Sequence, residues 1–137
     1  MYSITVSGPN GGKVSSDLSD FCHEAVRTLL AELGICHRYK FDLRLVVHHR
    51  TTFEPDVEGA CGVLGDRSYR IDVCLYTNWL KVLAHECVHL KQFITGELSP
   101  NLDRWKSNRY VSHHDYDNQP WEREAYRLEY QLLNKLF

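Results

Sequence analysis

The sequence lacks the features that mark several large classes of protein. It has five cysteines, an odd number, and no Cys-x-x-Cys pair. This pattern argues against a disulfide framework or a cysteine-rich zinc site and indicates reduced thiols in a cytoplasmic setting. No segment approaches the ~20 consecutive apolar residues of a transmembrane helix, so we expect no membrane partner. The first residues also lack the charged and then apolar stretches of a secretory signal.

A strong charge of either sign is also missing. The formal net charge is -2, and no lysine or arginine run exists that would follow a nucleic-acid backbone. We therefore expect no nucleic-acid partner. The 137 residues are 43% hydrophobic and 25% charged, which is typical of a globular protein. This length predicts a single domain over residues 1–137.

Periodic patterns predict an α+β domain. Apolar residues between 18 and 33 recur at helical spacing, with Ser16 or Asp17 as the cap and Gly34 as the stop. A three-stranded sheet is predicted from alternation and from a turn between two apolar runs. Its strands are residues 41–48, 60–64 and 69–76. A second helix over 78–95, a long loop over 97–119 and a helix from Pro120 to the C-terminus complete the order.

The segment LAHECVHLKQ, residues 83–92, contains the motif His-Glu-x-x-His. His85 and His89 are four residues apart on the second helix, so both side chains can point at one metal ion. On a helical wheel they share one narrow polar arc with Lys81 and Gln92, whereas nearly all other residues of this helix are apolar.

Glu86 falls inside the apolar arc of the same helix. A buried carboxylate is unfavourable unless it is paired, hydrogen-bonded or near a cation. If the two histidines were ordinary surface residues, nothing would offset the cost of burying the Glu86 carboxylate. A metal at His85 and His89 would supply the cation that offsets it. We therefore predict one zinc ion per chain at this motif.

A catalytic zinc site usually has three protein ligands and one open position, so a third ligand is needed. On the final helix, Glu122 lies roughly 50° from the centre of the inward face and Glu124 roughly 110° from it. We predict Glu122 as the ligand and Glu124 as a first-turn acid that interacts with the helix dipole. His113 and His114 in the loop are the competing candidates.

The motif HECVHLKQ, a tryptophan in the loop (Trp105) and the motif PWEREA together resemble the small gluzincin-type metallopeptidases found widely in phage genomes. Those proteins are similar in layout to the ImmA/IrrE and SprT-like minimal zincins. The resemblance covers roughly the second half of the chain by motif and implies a zincin-like domain. It implies zinc held by His85, His89 and a glutamate of the later helix, with Glu86 as the catalytic acid/base.

In gluzincins that glutamate commonly precedes an alanine by three positions and an aspartate or asparagine by four. Glu122 and Ala125 match this pattern, but Tyr126 stands at the fourth position. The departure concerns the group that would orient His85 or His89, and not the ligand itself.

The resemblance implies hydrolysis of peptide bonds in a protein or peptide substrate. Zinc lowers the pKa of a bound water toward ~7, and Glu86 takes its proton and later passes it to the leaving amine. The oxyanion needs an electrophilic donor, for which the long loop offers four side chains: Tyr110, His113, His114 and Tyr116. In zincins the strand before the metal helix, here residues 69–76, commonly presents an edge to an extended peptide. A phage-encoded member would act in the host cytoplasm.

Three functions of different kinds stay open at this point. The first is a zinc metallopeptidase, and the second is a zinc-binding regulatory or partner-binding module with little or no hydrolytic activity. The third is a metal-free interaction domain, against which the buried Glu86 argues. Glu86 favours the first function, since a purely structural zinc site needs no acid there and usually closes its fourth position.

Overall fold

The structure is a computed structural model that describes residues 1–49, 57–76, 78–109 and 118–137. In this described part, three α-helices and a four-stranded sheet form an α+β domain. The helices are α1 (Ser16–Glu32), α2 (Trp79–Ile94) and α3 (Pro120–Asn134). The sheet strands are β1 (Ser3–Ser7), β2 (Asp42–His48), β3 (Gly59–Gly65) and β4 (Ser68–Cys74). A short hairpin, β5 (Arg104–Trp105) and β6 (Asn108–Arg109), follows α2 along the chain.

The sheet is mixed and has the strand order β1-β2-β4-β3. The strands β1, β2 and β4 are parallel, and β3 pairs antiparallel with β4 at one edge. The prediction of three strands is wrong because it omits β1. This strand has only five residues and one buried side chain, Ile4, and its pairing partner β2 lies far along the chain. Its stability therefore comes from a contact that a local pattern does not contain.

The position of β4 corrects a second expectation. The resemblance to zincins implies an open edge at residues 69–76, but β4 lies between β2 and β3. A hairpin pattern does not tell which of its two arms is the outer one, because that depends on pairing with a distant strand. In the described part of the chain, the open edge next to α2 belongs to β3.

The core lies between one face of the sheet and the helices α1 and α2. The buried side chains of α1 come from its predicted apolar positions. The helix begins after Ser15, whose hydroxyl accepts a hydrogen bond from the backbone nitrogen of Leu18 at 3.3 Å. Ser15, and not Ser16 or Asp17, is therefore the cap; all three are good capping residues, so composition alone does not separate them. Gly34 ends the helix with φ of 84°, as the sequence predicts.

The helices α2 and α3 pack against each other in antiparallel directions. The backbone oxygen of Trp121, at the start of α3, accepts a hydrogen bond from Gln92 near the end of α2. At the other end, the amine of Lys81 lies over the ring of Tyr130. α3 begins at Pro120 as predicted but ends at Asn134, short of the C-terminus. Within the described segments, no helix has both the length and the apolar character that crossing a membrane requires.

Gly59 lies where the edge strand β3 packs closely against α2. A Cβ at this position would lie 2.5 Å from Cγ1 of Val82 and 3.2 Å from the backbone oxygen of Asp72. Valine is stiff at χ1 and the carbonyl belongs to the sheet, so neither neighbour can move away easily. We expect Gly59→Ala to lower the free energy of unfolding by about 1–3 kcal/mol, measured by urea denaturation.

Gly62→Ala is the matched control on the same strand. No described atom lies within 4 Å of a Cβ built at Gly62. This substitution should be neutral or slightly stabilising, because it restricts the unfolded chain without a clash. Equal losses in the two variants would show that contact with α2 is not the cause.

Candidate metal centre

The site begins with two histidines one turn apart on α2. His85 and His89 are buried, with 7% and 5% of their surfaces exposed, and their ring centroids lie 5.0 Å apart. The apolar side chains of α2 pack against the sheet and α1, which leaves the polar arc of the helix facing α3. Both imidazoles are therefore directed into the interface between α2 and α3.

The third side chain comes from the first turn of α3. Oε1 of Glu122 lies 2.8 Å from Nε2 of His85 and 3.0 Å from Nε2 of His89. Glu122 is 4% exposed. Glu124 is only partly buried and instead accepts a hydrogen bond from the amide of Gln92 at 3.1 Å. The structure thus brings Glu122, and not Glu124, onto the two histidines.

The other nitrogen of each ring also has a defined partner. Nδ1 of His85 donates to Oε2 of Glu129 at 2.8 Å, and Nδ1 of His89 donates to Oε1 of Gln92 at 2.8 Å. The amide nitrogen of Gln92 donates to the Trp121 carbonyl and to Glu124, so its oxygen must be the acceptor for His89. These acceptors hold a proton on Nδ1 of each ring, so Nε2 is the nitrogen that carries the lone pair whenever a ring is neutral.

Three electron-pair donors therefore meet at one buried point. The donor atoms of His85, His89 and Glu122 all lie within 4.8 Å of one another. Two lone pairs and a carboxylate facing each other repel unless a cation lies among them. Two imidazoles and one carboxylate are a donor set that suits zinc. These three residues form a group that could bind a metal ion.

Protons are the alternative cations at this point. Burial lowers the pKa of His85, but its hydrogen bonds to Glu122 and Glu129 and the nearby charge of Glu86 outweigh burial and raise the pKa to about 9. The pKa of His89 is raised as well: burial lowers it, but the hydrogen bonds to Glu122 and Gln92 and the nearby charges of Glu86 and Glu122 together outweigh burial. Metal binding at this group therefore competes with imidazole protonation.

Glu86 lies next to the two histidines on the side of β3. It is 6% exposed, as its place in the apolar arc predicts. Burial raises the pKa of its carboxyl to about 7, although the histidine charges act in the opposite direction. A carboxyl with this pKa can both accept and release a proton near neutral pH.

A cleft of about 590 Å³ opens over these residues. Its walls come from β3, α2 and α3, and include Gly59, Cys61, Phe93 and Tyr126. The cleft reaches His85, Glu86, His89 and Glu122 together. A molecule that enters it can therefore approach the acid and the three donors at once.

The structure also shows what sequence reasoning missed. Glu129 is a partner of His85 that the motif comparison does not indicate, because that comparison stops at Tyr126, one turn after Glu122. A signal was present, since Glu129 follows Glu122 by two helical turns and so lies on the same face of α3. The suggested oxyanion donors Tyr110, His113, His114 and Tyr116 lie outside the described residues.

No family model, curated protein or solved structure matches the chain. Function must therefore be inferred from the site itself.

Glu122, in the first turn of α3, and Glu124, just after it, can be separated by mutation. Glu122→Ala removes a coordinating atom, so zinc affinity should fall by more than the ~10–100-fold typical of losing an outer hydrogen-bond partner. Glu124→Ala should leave zinc affinity nearly unchanged, because the Trp121 carbonyl still holds the Gln92 amide, and should cost about 0.5–1.5 kcal/mol of stability for the lost hydrogen bond. Competition with a chelator of known affinity measures the first quantity. Interchanged outcomes would identify Glu124 as the ligand.

The raised pKa values also predict a pH dependence. The pKa of His85 rises from 6.5 to about 9 on folding. The protonated ring therefore stabilises the metal-free fold fully below pH 6.5, and this stabilisation is lost as pH rises through about 9. The pKa of Glu86 rises from 4.5 to about 7, so the ionisation of Glu86 destabilises the fold as pH rises through that range. We expect the melting temperature of chelator-treated protein to fall between about pH 6 and pH 9.

Zinc-loaded protein should show a different trend. Zinc displaces the imidazole protons, so the rise in melting temperature caused by zinc should grow with pH over the same range. Scanning calorimetry of both forms in matched buffers measures the difference. A zinc effect that shrinks as pH rises would contradict binding through the histidines.

Proposed function

We propose that the protein is a zinc-dependent metallopeptidase that hydrolyses peptide bonds in a protein or peptide substrate. The observation that carries this proposal is the position of Glu86, a buried acid beside the His85, His89 and Glu122 group and at the base of an open cleft. A purely structural zinc site usually has four protein ligands and no acid beside it. Here three donors meet in the described part of the chain, and the cleft reaches them.

His85, His89 and Glu122 would hold the ion. When bound, zinc supplies a Lewis acid that polarises water and a peptide carbonyl. The hydrogen bonds to Glu129 and Gln92 hold the two imidazoles with both Nε2 atoms facing Oε1 of Glu122, the third residue that would hold the ion. These partners fix the ring orientation before any substrate arrives, which preorganises the site.

Glu86 is the residue that moves the proton. Its carboxylate accepts a proton from the water that attacks the peptide carbonyl, and it then donates this proton to the leaving amine. Both steps need a carboxyl that takes up and releases a proton at the working pH. Burial raises the pKa of Glu86 to about 7 in the metal-free protein, and the charge of a bound cation would lower it from there. Gly59 lies directly beside Glu86 in the cleft, since a Cβ at Gly59 would be 3.3 Å from Cγ of Glu86.

The edge of β3 is the proposed contact for the substrate backbone. The backbone nitrogen of Cys74 donates to the Glu58 oxygen, and with the antiparallel register this places Gly59 and Cys61 at the positions that do not bond to β4. Their backbone groups therefore point away from β4, and both residues line the cleft. An extended peptide could pair with this edge by strand addition, which depends little on side-chain identity.

The proposed setting is the cytoplasm, which would be the host cytoplasm for a phage-encoded protein. Its support is the cysteine usage, since Cys22, Cys36, Cys61, Cys74 and Cys87 are all free thiols. Free thiols persist where the environment is reducing.

Glu86→Gln tests the proposed reaction. The amide has nearly the same shape but cannot accept the proton, so hydrolysis of a peptide library should fall by on the order of 10²–10⁴-fold or more. Zinc content should stay at one ion per chain, and the melting temperature should stay unchanged or rise slightly, because a buried carboxylate is removed. Glu32→Gln, which changes an exposed acid at the end of α1 in the same way, is the control.

Two outcomes would contradict this function. Turnover that survives in Glu86→Gln would remove Glu86 from the mechanism. Wild-type protein that binds zinc but cleaves no member of the library would support the second function, a zinc-binding regulatory or partner-binding module.

A further inference from the structure

Glu129 is a buried acid that takes no part in the proton transfer. It lies on α3, and 6% of its surface is exposed. Its Oε2 accepts a hydrogen bond from Nδ1 of His85 at 2.8 Å, while Oε1 of Glu122 lies 2.8 Å from Nε2 of the same ring. The imidazole of His85 is therefore held between two carboxylates of a single helix.

The spacing of the two acids explains how one helix reaches both ends of the ring. Seven residues are close to two full turns, so Glu122 and Glu129 project from the same face of α3 with an offset of about 20°. α2 and α3 run antiparallel, and the His85 ring lies along the groove between them. The ring of Tyr126, one turn after Glu122, packs edge-on against it, with 4.7 Å between ring centroids.

The His89 ring has the same orientation as the His85 ring, but its hydrogen-bond partner is a different kind of residue. Its Nδ1 donates to Gln92, a residue of α2 itself, whereas Nδ1 of His85 donates across to α3. Both rings consequently have the same tautomer, and both Nε2 atoms face Oε1 of Glu122. If Glu129 only linked α2 to α3, the matching orientation of the two rings would be unexplained.

We propose that Glu129 is a positioning residue for His85. The hydrogen bond from Nδ1 of His85 to Glu129 fixes the tautomer and the rotation of the ring, so that Nε2 is presented to the metal. This inference rests on the proposed metal site, but not on hydrolysis.

Zinc affinity of the full chain, measured by competition with a chromophoric chelator, provides the test. Loss of the carboxylate partner of a metal-bound histidine typically lowers metal affinity ~10–100-fold, and we expect this loss in Glu129→Ala. Glu129→Gln keeps an acceptor oxygen in nearly the same place, so its affinity should lie closer to that of wild type than to that of Glu129→Ala. Gln131→Ala, at an exposed position of the same helix, controls for effects on α3 itself.

Two results would overturn the inference. A purely structural contact predicts that Glu129→Ala melts at a lower temperature, with and without zinc, while zinc affinity stays at the wild-type value. Equal weakening in Glu129→Gln and Glu129→Ala would show that the charge, and not the hydrogen bond, is what matters.

The wild-type protein gives a readout that does not depend on the folding of a variant. Nitrogen-15 NMR of the imidazoles in zinc-loaded protein should show a proton on Nδ1 of His85 and the metal on Nε2. The reverse arrangement would overturn the inference. Wild-type protein that binds no zinc would overturn the proposed function together with it, whereas unchanged affinity in Glu129→Ala overturns this inference alone.

Discussion

Three electron-pair donors directed at one buried point are the constraint on which the rest of the structure depends. His85, His89 and Glu122 face each other across the interface of α2 and α3, and their donor atoms lie within 4.8 Å of one another. A cation must fill that point for the two helices to pack, whether it is a metal ion or protons on the imidazoles. The α2–α3 interface therefore depends on proton concentration and, under the proposed function, on metal concentration, in a way that an apolar interface does not.

The sheet provides the rigid support for this interface. α2 packs against the sheet, α1 and α3, so the direction of its polar arc is set by the burial of its apolar side chains. The same packing directs Glu86 toward β3, where Gly59 allows the strand to approach the helix closely. One helix thus places Glu86 through its contact with β3, and it places the two histidines through its contact with α3.

The parts of the site that follow from local spacing could be predicted from the sequence. The four-residue separation of His85 and His89 and the position of Glu86 in the apolar arc of the helix both depend only on helix geometry. The same geometry separates Glu122 from Glu124 once the inward face of α3 is known.

The parts that depend on contacts between distant segments could not be predicted. The strand β1, the inner position of β4 and the hydrogen bond from His85 to Glu129 each join elements far apart in sequence. Glu129 lies on the face of α3 that periodicity identifies, but its contact with His85 follows only from the antiparallel packing of α3 on α2. The four aromatic and histidine residues suggested as oxyanion donors lie outside the described residues, so that prediction stays a prediction.

The composition of β3 has a consequence for how firmly anything can be held at its edge. Three of its seven residues are glycines, Gly59, Gly62 and Gly65, which offer no side chain for cross-strand contacts. A chain that pairs with this edge gains backbone hydrogen bonds but few lateral contacts, so it dissociates readily. Rapid release of whatever pairs with this edge therefore comes from these three residues.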